Sequence, residues 1–215
     1  MKLSKVEFDA RYKAGDLRLA FVGMSNIGKS YTATRLSKTH DFQLVEVDRL
    51  IWKELEHGSM SDFATWQGQP YTDGYEEREA VSIALETNAT RKAMTPTNSN
   101  ALLDTTGSVI YADEEVTQAL KRDFLIIHIA AGDEDLERLK QDYFALPKPL
   151  VWRGHYKKLK GKSYEESILA CYPKLLESRK KAYEDLADVA LKSSFVLDAN
   201  TTMNDVFGAI RGQLS

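Results

Sequence analysis

Residues 23–30, GMSNIGKS, have the types and spacing of a phosphate-binding loop. They satisfy the pattern G-x-x-x-x-G-K-[ST], follow the apolar run LRLAFV and precede a segment with helical spacing. Gly23 and Gly28 let the loop curl so that its N–H groups point at an anion, and the N-terminus of the next helix adds partial positive charge. Lys29 can reach the terminal phosphates, and the Ser30 hydroxyl can ligate Mg²⁺. The segment therefore predicts a nucleoside triphosphate site.

Two carboxylates, Glu46 and Asp48, come one residue apart at the end of a second apolar run. In a parallel sheet, this strand end lies beside the phosphate loop, where one carboxylate can serve Mg²⁺ and the other an acceptor hydroxyl. The alternative is structural: a solvated strand end, with Asp48 as the N-cap of the next helix. The pair alone does not decide between the two.

Short apolar runs alternate with polar stretches of helical spacing along the chain. We expect strands at 18–22, 42–47, 101–104, 124–130 and 194–197. We expect helices at 29–39, 49–57, 73–93, 113–121, 133–143, 164–191 and 203–212, and a short helix before residue 16. This alternation predicts a three-layer α/β protein with about five parallel strands. Residues 58–100 and 145–163 fit the alternation poorly, so we expect them to be insertions at one end of the sheet.

The composition limits the class of protein. The chain has 215 residues, enough for one sizeable domain, so we expect a single domain over 1–215. A net charge of -3, with 43% hydrophobic and 28% charged residues, argues against binding nucleic acid or membranes through charge alone. A single cysteine excludes an internal disulfide and suits a reducing compartment, and no signal peptide is evident. The expected location is the cytoplasm.

Five motifs in order make the chain resemble the shikimate kinase family of P-loop small-molecule kinases. They are the phosphate loop, the acidic pair Glu46-Val47-Asp48, the turn Thr106-Gly107-Ser108, the basic segment ALPKPLVWRGHYKK, and the segment SRKKAYEDLADVALKSSFVLD with Arg179 and Tyr183. Their order and spacing span roughly residues 18–212. The loop motif alone is common to many NTPases, whereas the ordered set is more specific.

The resemblance implies the cofactors ATP and Mg²⁺ and a role for each matching residue. The ATP-binding residues would be Gly23, Ser25, Asn26, Ile27, Gly28, Lys29, Ser30 and Tyr31. Ser30 and Glu46 would hold Mg²⁺, and Lys29 and Asp48 would be catalytic, with Asp48 taking or orienting the proton of the acceptor hydroxyl. Gly107 would let the substrate approach the backbone and Arg179 would pair with a substrate anion. Residues 58–100 would bind the substrate, and 145–163, with Lys148 and Arg153, would form a lid that excludes water.

The chain departs from the family pattern mainly around the acceptor. The Gly-Gly-Gly turn is Thr106-Gly107-Ser108, and Asp104 adds a second candidate carboxylate for Mg²⁺. The family's substrate helix carries Phe-Arg-x-x-Glu, and the best match here, YEERE at 75–79, puts Glu76 where the carboxylate-binding Arg belongs. Arg78 is the nearest replacement, but two residues along a helix it faces nearly the opposite side. We therefore expect a small polar acceptor with a hydroxyl group, and shikimate itself to be a poor substrate.

Two other functions remain open at this point. A nucleoside or nucleotide kinase has the same architecture. A GTPase or nucleotide-binding regulator without an acceptor would use the Asp-x-x-Gly of residues 104–107, but it also needs an Asn/Thr-Lys-x-Asp motif to read guanine. The nearest approximation is LKQD at 139–142, inside a segment of helical spacing.

Overall fold

The computed structural model describes residues 2–54, 60–95, 98–145 and 149–215. Within these residues, five strands form one parallel sheet in the order β2-β3-β1-β4-β5. The strands are β1 (Arg18–Val22), β2 (Gln43–Glu46), β3 (Ala101–Asp104), β4 (Leu125–Ala130) and β5 (Val189–Lys192). The three central strands are buried almost throughout, as strands covered by helices on both faces must be. The predicted three-layer α/β architecture is confirmed.

Ten helices surround the sheet in the described part of the chain. They are α1 (Lys5–Ala14), α2 (Lys29–Thr39), α3 (Val47–Glu54), α4 (Met60–Gln67), α5 (Tyr75–Ala93), α6 (Glu114–Asp123), α7 (Asp133–Ala145), α8 (Tyr164–Leu186), α9 (Ser193–Val196) and α10 (Met203–Gly212). A 3₁₀ turn covers Val109–Tyr111. Capping boxes begin α1, α8 and α10, where a Ser or Thr side chain and an acidic residue three positions on satisfy each other's backbone N–H groups. No described helix combines the length and the apolar character that crossing a bilayer requires.

The strand register brings the predicted chemistry to one edge of the sheet. Asp104, the last residue of β3, is paired with Phe21 of β1 and with Glu46 of β2. The phosphate loop follows β1 directly, and α3 follows β2. The carboxyl ends of three adjacent strands therefore meet where ligands bind in open α/β sheets.

The predicted last strand is wrong. Residues 194–197 lie in or next to α9, and the strand is β5, whose first three residues we expected to belong to the preceding helix. Asp188 decides this: its N–H donates to the Ile126 carbonyl at 2.8 Å, and its carboxylate accepts from the Ile126 N–H at 2.9 Å. These two bonds draw the chain alongside β4, where Val189 and Leu191 are buried in alternation with exposed residues.

The N-terminal helix α1 packs on α10. The Arg211 guanidinium donates two hydrogen bonds of 2.7 Å to the Asp9 carboxylate, and the rings of Phe8 and Phe207 lie 5.1 Å apart. These contacts tie the N-terminal helix to the C-terminal helix.

Candidate functional site

The phosphate loop joins β1 to α2, and two glycines allow its path. Gly23 has φ 143°, and a Cβ there would lie 2.6 Å from the Ile129 carbonyl oxygen. Gly28 has φ 100° and is the N-cap of α2. Both positions exclude a side chain, one by close approach and one by its left-handed backbone. The loop that results presents the N-terminus of α2 to an anion.

Lys29 is buried, and its ammonium donates to the Met24 carbonyl at 2.8 Å. Ser25 and Asn26 line the cavity beside the loop, whereas Ile27 packs in the core. Tyr31 is half exposed on α2, and its hydroxyl accepts a hydrogen bond of 2.6 Å from Arg35. The loop residues thus divide into those that face the cavity and those that anchor the loop beneath it.

Asp104 lies beside Lys29 and Ser30 at the end of β3. Burial raises the pKa of its carboxyl, while the charge of Lys29 and a hydrogen bond with Ser30 lower it. Its Oδ1 atom is buried and has no hydrogen-bond partner among the described residues. A buried carboxylate oxygen without a partner, next to a serine hydroxyl, is a donor set that suits Mg²⁺. Glu46, the other predicted ligand, instead forms a 2.7 Å ion pair with Arg49 and does not line the cavity.

A cavity of about 320 Å³ opens beside the phosphate loop. Its polar walls come from the loop, α3, α5 and the turn after β3, and its apolar walls from α3, α4 and the segment before Val151. The lining residues are Ser25, Asn26, Lys29, Ser30, Asp48, Ile51, Trp52, Phe63, Glu86, Thr105, Thr106, Gly107, Ser108 and Pro149. Asp48 is half-buried in the first turn of α3. The structure therefore brings Lys29, Ser30, Asp48 and Gly107 together around one cavity.

Glu86 on α5 is a cavity residue that the sequence reasoning missed. It is 7% exposed, and it accepts a hydrogen bond of 2.6 Å from the Thr106 hydroxyl. Burial raises the pKa of Glu86 to about 7, and the nearby charge of Asp48 adds to the rise. A signal was present, because Glu79 and Glu86 are seven residues apart and so share one face of the helix with the apolar Tyr75.

The structure does not bring Glu76 and Arg78 to the cavity. Glu76 is exposed on α5. The Arg78 guanidinium donates to the Gln67 carbonyl at 2.9 Å and to the Thr72 hydroxyl at 3.0 Å. The first turns of α5 serve instead to hold the segment after residue 149: Glu79 accepts from the Tyr75 hydroxyl at 2.8 Å and from the N–H groups of Trp152 and Arg153.

Arg179 is 2% exposed behind the turn at Gly107. Its guanidinium donates to the Gly107 carbonyl at 3.2 Å and to the Val151 carbonyl at 2.8 Å, and the Tyr183 hydroxyl also donates to Gly107. The expected pairing of Arg179 with a substrate anion is thus replaced, in this structure, by bonds that hold two loops of the site. Arg179 is not among the residues that line the cavity.

Of the predicted lid, 145–163, residues 146–148, which include Lys148, lie outside the described residues. Arg153 is exposed, with φ 48°, and its guanidinium lies 5.9 Å from the centre of the Tyr111 ring. Trp152 is buried against the rings of Tyr143 and Tyr172. The part of this segment around Trp152 is therefore firmly packed.

Helix α7 supports the phosphate loop from the other side, which the sequence reasoning also missed. Arg138 donates to the Asn26 carbonyl at 2.8 Å and to the Asp135 carboxylate at 2.7 Å. Asp142 accepts from the Asn26 side chain at 3.3 Å. The LKQD sequence of a guanine reader would need residues 139–142 in a loop, but they lie inside α7, with Leu139 buried.

Solved structures of other proteins have a similar fold. No protein-family model and no curated protein matches the sequence. Among solved structures, the shikimate kinase of Acinetobacter baumannii, in complex with shikimate, matches with a TM-score of 0.60 and 16% identity, over 91% of this chain and 92% of that one. The shikimate kinase of Bacteroides thetaiotaomicron matches with a TM-score of 0.61 and 16% identity, over 89% and 95%. That of Aquifex aeolicus matches with a TM-score of 0.59 and 16% identity, over 91% and 97%. This chain therefore has a shikimate kinase-like P-loop fold.

Proposed function

We propose that this protein is a small-molecule kinase that transfers the γ-phosphoryl group of ATP to a hydroxyl group of a small polar metabolite. The observation that carries the proposal is one cavity in which Lys29 and Ser30 of the phosphate loop face Asp48 and Glu86. A nucleotide-binding regulator needs no second, walled compartment beside its phosphates. A phosphotransferase needs one, because the acceptor must be held in line with the phosphoryl group.

Mg²⁺ fits the pair formed by Asp104 and Ser30, since Asp104 has a buried oxygen without a described partner beside the Ser30 hydroxyl. Glu46, occupied by Arg49, is the weaker candidate. A magnesium ion there would neutralise charge on the phosphate oxygens. Lys29 would add its own positive charge on the γ-phosphate, in a position fixed by its bond to Met24.

Asp48 is the residue that we assign to the acceptor hydroxyl. In the transfer, the acceptor oxygen forms a bond to the γ-phosphorus, the bond from that phosphorus to the bridging oxygen breaks, and ADP leaves with the electron pair. The proton of the hydroxyl passes to the Asp48 carboxylate. Gly107 lets the acceptor approach the backbone of the turn, and Arg179 positions that turn through its carbonyl.

We further propose that 58–100 binds the acceptor and that 145–163 closes over the phosphates, within a single domain of residues 1–215. Contacts between the described parts of the two segments support their acting together. The Leu150 carbonyl accepts from the Gln67 side chain at 2.7 Å and from the Tyr75 hydroxyl at 2.6 Å. Closure of the rest of 145–163, apart from the packed residues around Trp152, would exclude water. The phosphoryl group would then be transferred to the acceptor and not to water.

The test is ATP consumption in the presence of Mg²⁺, screened over sugars, cyclitols, hydroxy acids and nucleosides, with shikimate included. We expect one class to raise ADP formation well above the rate without acceptor, a phosphorylated product by mass spectrometry, and little product from shikimate. Lys29→Ala is the control that assigns turnover to this site. A preference for GTP, with slow hydrolysis that no acceptor stimulates, would contradict the proposal and favour a regulator.

A further inference from the structure

The side chains that line the cavity beside the phosphate loop carry more negative than positive charge. Two carboxylates, Asp48 and Glu86, line it. Among the described lining residues, Lys29 is the one side chain with a positive charge, and it belongs to the phosphates. We infer that the acceptor carries a cationic amine, bound against Glu86 and the aromatic wall of the cavity. This inference rests on the proposed function, because it takes the cavity to be the acceptor site.

Glu86 has the position of a specific anchor. Its side chain is almost fully buried, and the Thr106 hydroxyl holds one carboxylate oxygen at 2.6 Å. Within the described parts of the chain, it forms no ion pair with Lys or Arg. A buried carboxylate is stable as an anion only where cations or hydrogen bonds offset its burial. Burial raises the pKa of Glu86, and the nearby charge of Arg179 and the hydrogen bonds from Thr106 and Ser108 offset only part of that rise. A cationic group of the ligand would supply the missing charge.

The Arg179 guanidinium, which was expected to bind an anionic acceptor, forms hydrogen bonds with main-chain carbonyls instead. Arg179 lies behind the turn, and its two terminal nitrogens donate to the carbonyls of Gly107 and Val151. An acceptor carboxylate would therefore meet the two carboxylates of the cavity without a bidentate partner of its own. Like charges within one cavity repel each other, so the cavity selects against anionic acceptors.

The wall formed by α3 and α4 is apolar and aromatic. Trp52 is 44% exposed and lines the cavity together with Ile51 and Phe63. An ammonium group over an aromatic face is attracted by the negative face of the ring, and the effect is strongest for Trp. The same wall covers the hydrocarbon part of a small molecule. Carboxylate and aromatic ring in one cavity are the two elements that recognise an amine.

The experiment measures binding directly, in an amine-free buffer with Mg²⁺ and the non-hydrolysable ATP analogue adenylyl imidodiphosphate. Calorimetry compares probes that differ in charge: choline with 3,3-dimethylbutan-1-ol, D-glucosamine with D-glucose and D-gluconate, and streptamine with scyllo-inositol. We expect at least one cationic probe to bind about tenfold or more tightly than its neutral partner, the size of one charge-assisted contact. Gluconate should bind more weakly than glucose.

Glu86→Gln should remove this preference for the cationic probe, and Glu77→Gln, an exposed position on the same helix, should keep it. Equal or tighter binding of the neutral or anionic probes by the unmodified protein would overturn the inference, as would the absence of binding by every cationic probe. Retention of the preference in folded Glu86→Gln would overturn it as well. The inference and the proposed function fail differently. A cationic probe that binds without phosphate transfer would support the cation site and contradict the proposed kinase activity. Rapid transfer to neutral probes alone would support the kinase activity and contradict the cation site.

Discussion

The Thr106 hydroxyl donates a hydrogen bond of 2.6 Å to the buried carboxylate of Glu86 and so ties α5 to the turn after β3. This bond joins the helix of the proposed acceptor segment to the turn beside the phosphate loop. It holds a carboxyl group at a place where burial disfavours its charge. Both the stability of the fold and the charge of the cavity therefore depend on the protonation state of Glu86.

The stability of the unliganded protein should fall as pH rises because of Glu86. Its pKa is raised from 4.5 to about 7 in the folded state, so below pH 4.5 both states hold the proton and the stabilisation is complete. Between these values only the folded state keeps the proton, and the contribution is lost as pH passes through 7. The loss is on the order of 3 kcal/mol. Urea unfolding from pH 4.5 to 8 should show a flatter profile for Glu86→Gln than for the unmodified protein. Parallel profiles would contradict this; Glu77→Gln is the control.

Gly107→Ala should disturb the phosphate loop more than the fold. The new Cβ would lie 2.7 Å from the Ser25 hydroxyl and 3.2 Å from the Ser25 main-chain nitrogen. The hydroxyl can rotate away, but the backbone must move by a few tenths of an ångström. We expect turnover to fall by about tenfold or more, with a loss of about 1–3 kcal/mol in the free energy of unfolding. Gly208→Ala is the control, since no atom beyond its chain neighbours and the backbone of its own helix lies within 4 Å of its Cβ position in α10. Equal turnover of the two variants would rule out this role for Gly107.

Asp48 and Asp104 should separate in their dependence on Mg²⁺. Asp48→Asn removes the proton acceptor, and we expect turnover to drop by about 100-fold or more, with little change in the affinity for Mg·ATP. Asp104→Asn removes the negative charge beside Ser30 and replaces one carboxylate oxygen by an amide nitrogen, so it should raise the Mg²⁺ concentration needed for half-maximal turnover. Glu46→Gln, at the carboxylate paired with Arg49, should have the smaller effect on that concentration. Turnover and ATP binding over a Mg²⁺ series give both quantities. Matching profiles for all three variants would contradict separate roles for Asp48 in proton transfer and Asp104 in Mg²⁺ binding.

Glu79 should hold the segment after residue 149 in place. Its carboxylate accepts from the N–H groups of Trp152 and Arg153 and from the Tyr75 hydroxyl. Glu79→Ala leaves the N–H groups of Trp152 and Arg153 without this acceptor, at a cost of about 1–3 kcal/mol for a buried group, whereas the Tyr75 hydroxyl keeps the Leu150 carbonyl as its acceptor. Amide exchange at the N–H groups of Trp152 and Arg153 should become faster, while exchange in β1 and β4 changes only with global stability. Glu77→Ala changes an exposed residue of the same helix and should leave amide exchange at Trp152 and Arg153 unchanged. Unaltered protection in Glu79→Ala would refute the anchor.

The sequence by itself determined the elements whose signal is local. The phosphate loop could be read from eight residues, and β1, β3, α2 and α10 have the predicted bounds, because glycine spacing and apolar periodicity act over one turn or one strand. The parallel sheet followed from the alternation of such elements. The roles of the individual site residues stay predictions.

Only the tertiary structure decided which side chains meet. Glu86 became a cavity residue because α5 packs beside the turn at Thr106, 20 positions away in the chain. Its seven-residue spacing from Glu79 places it on the same face of α5 but does not identify that contact. Arg179 was expected to face a substrate, but its donors meet the carbonyls of Gly107 and Val151. The last strand was set by the bonds between Asp188 and Ile126, 62 residues apart. A helix face or a strand edge finds its partner through packing of distant segments, and the free energy of that packing depends on both surfaces at once.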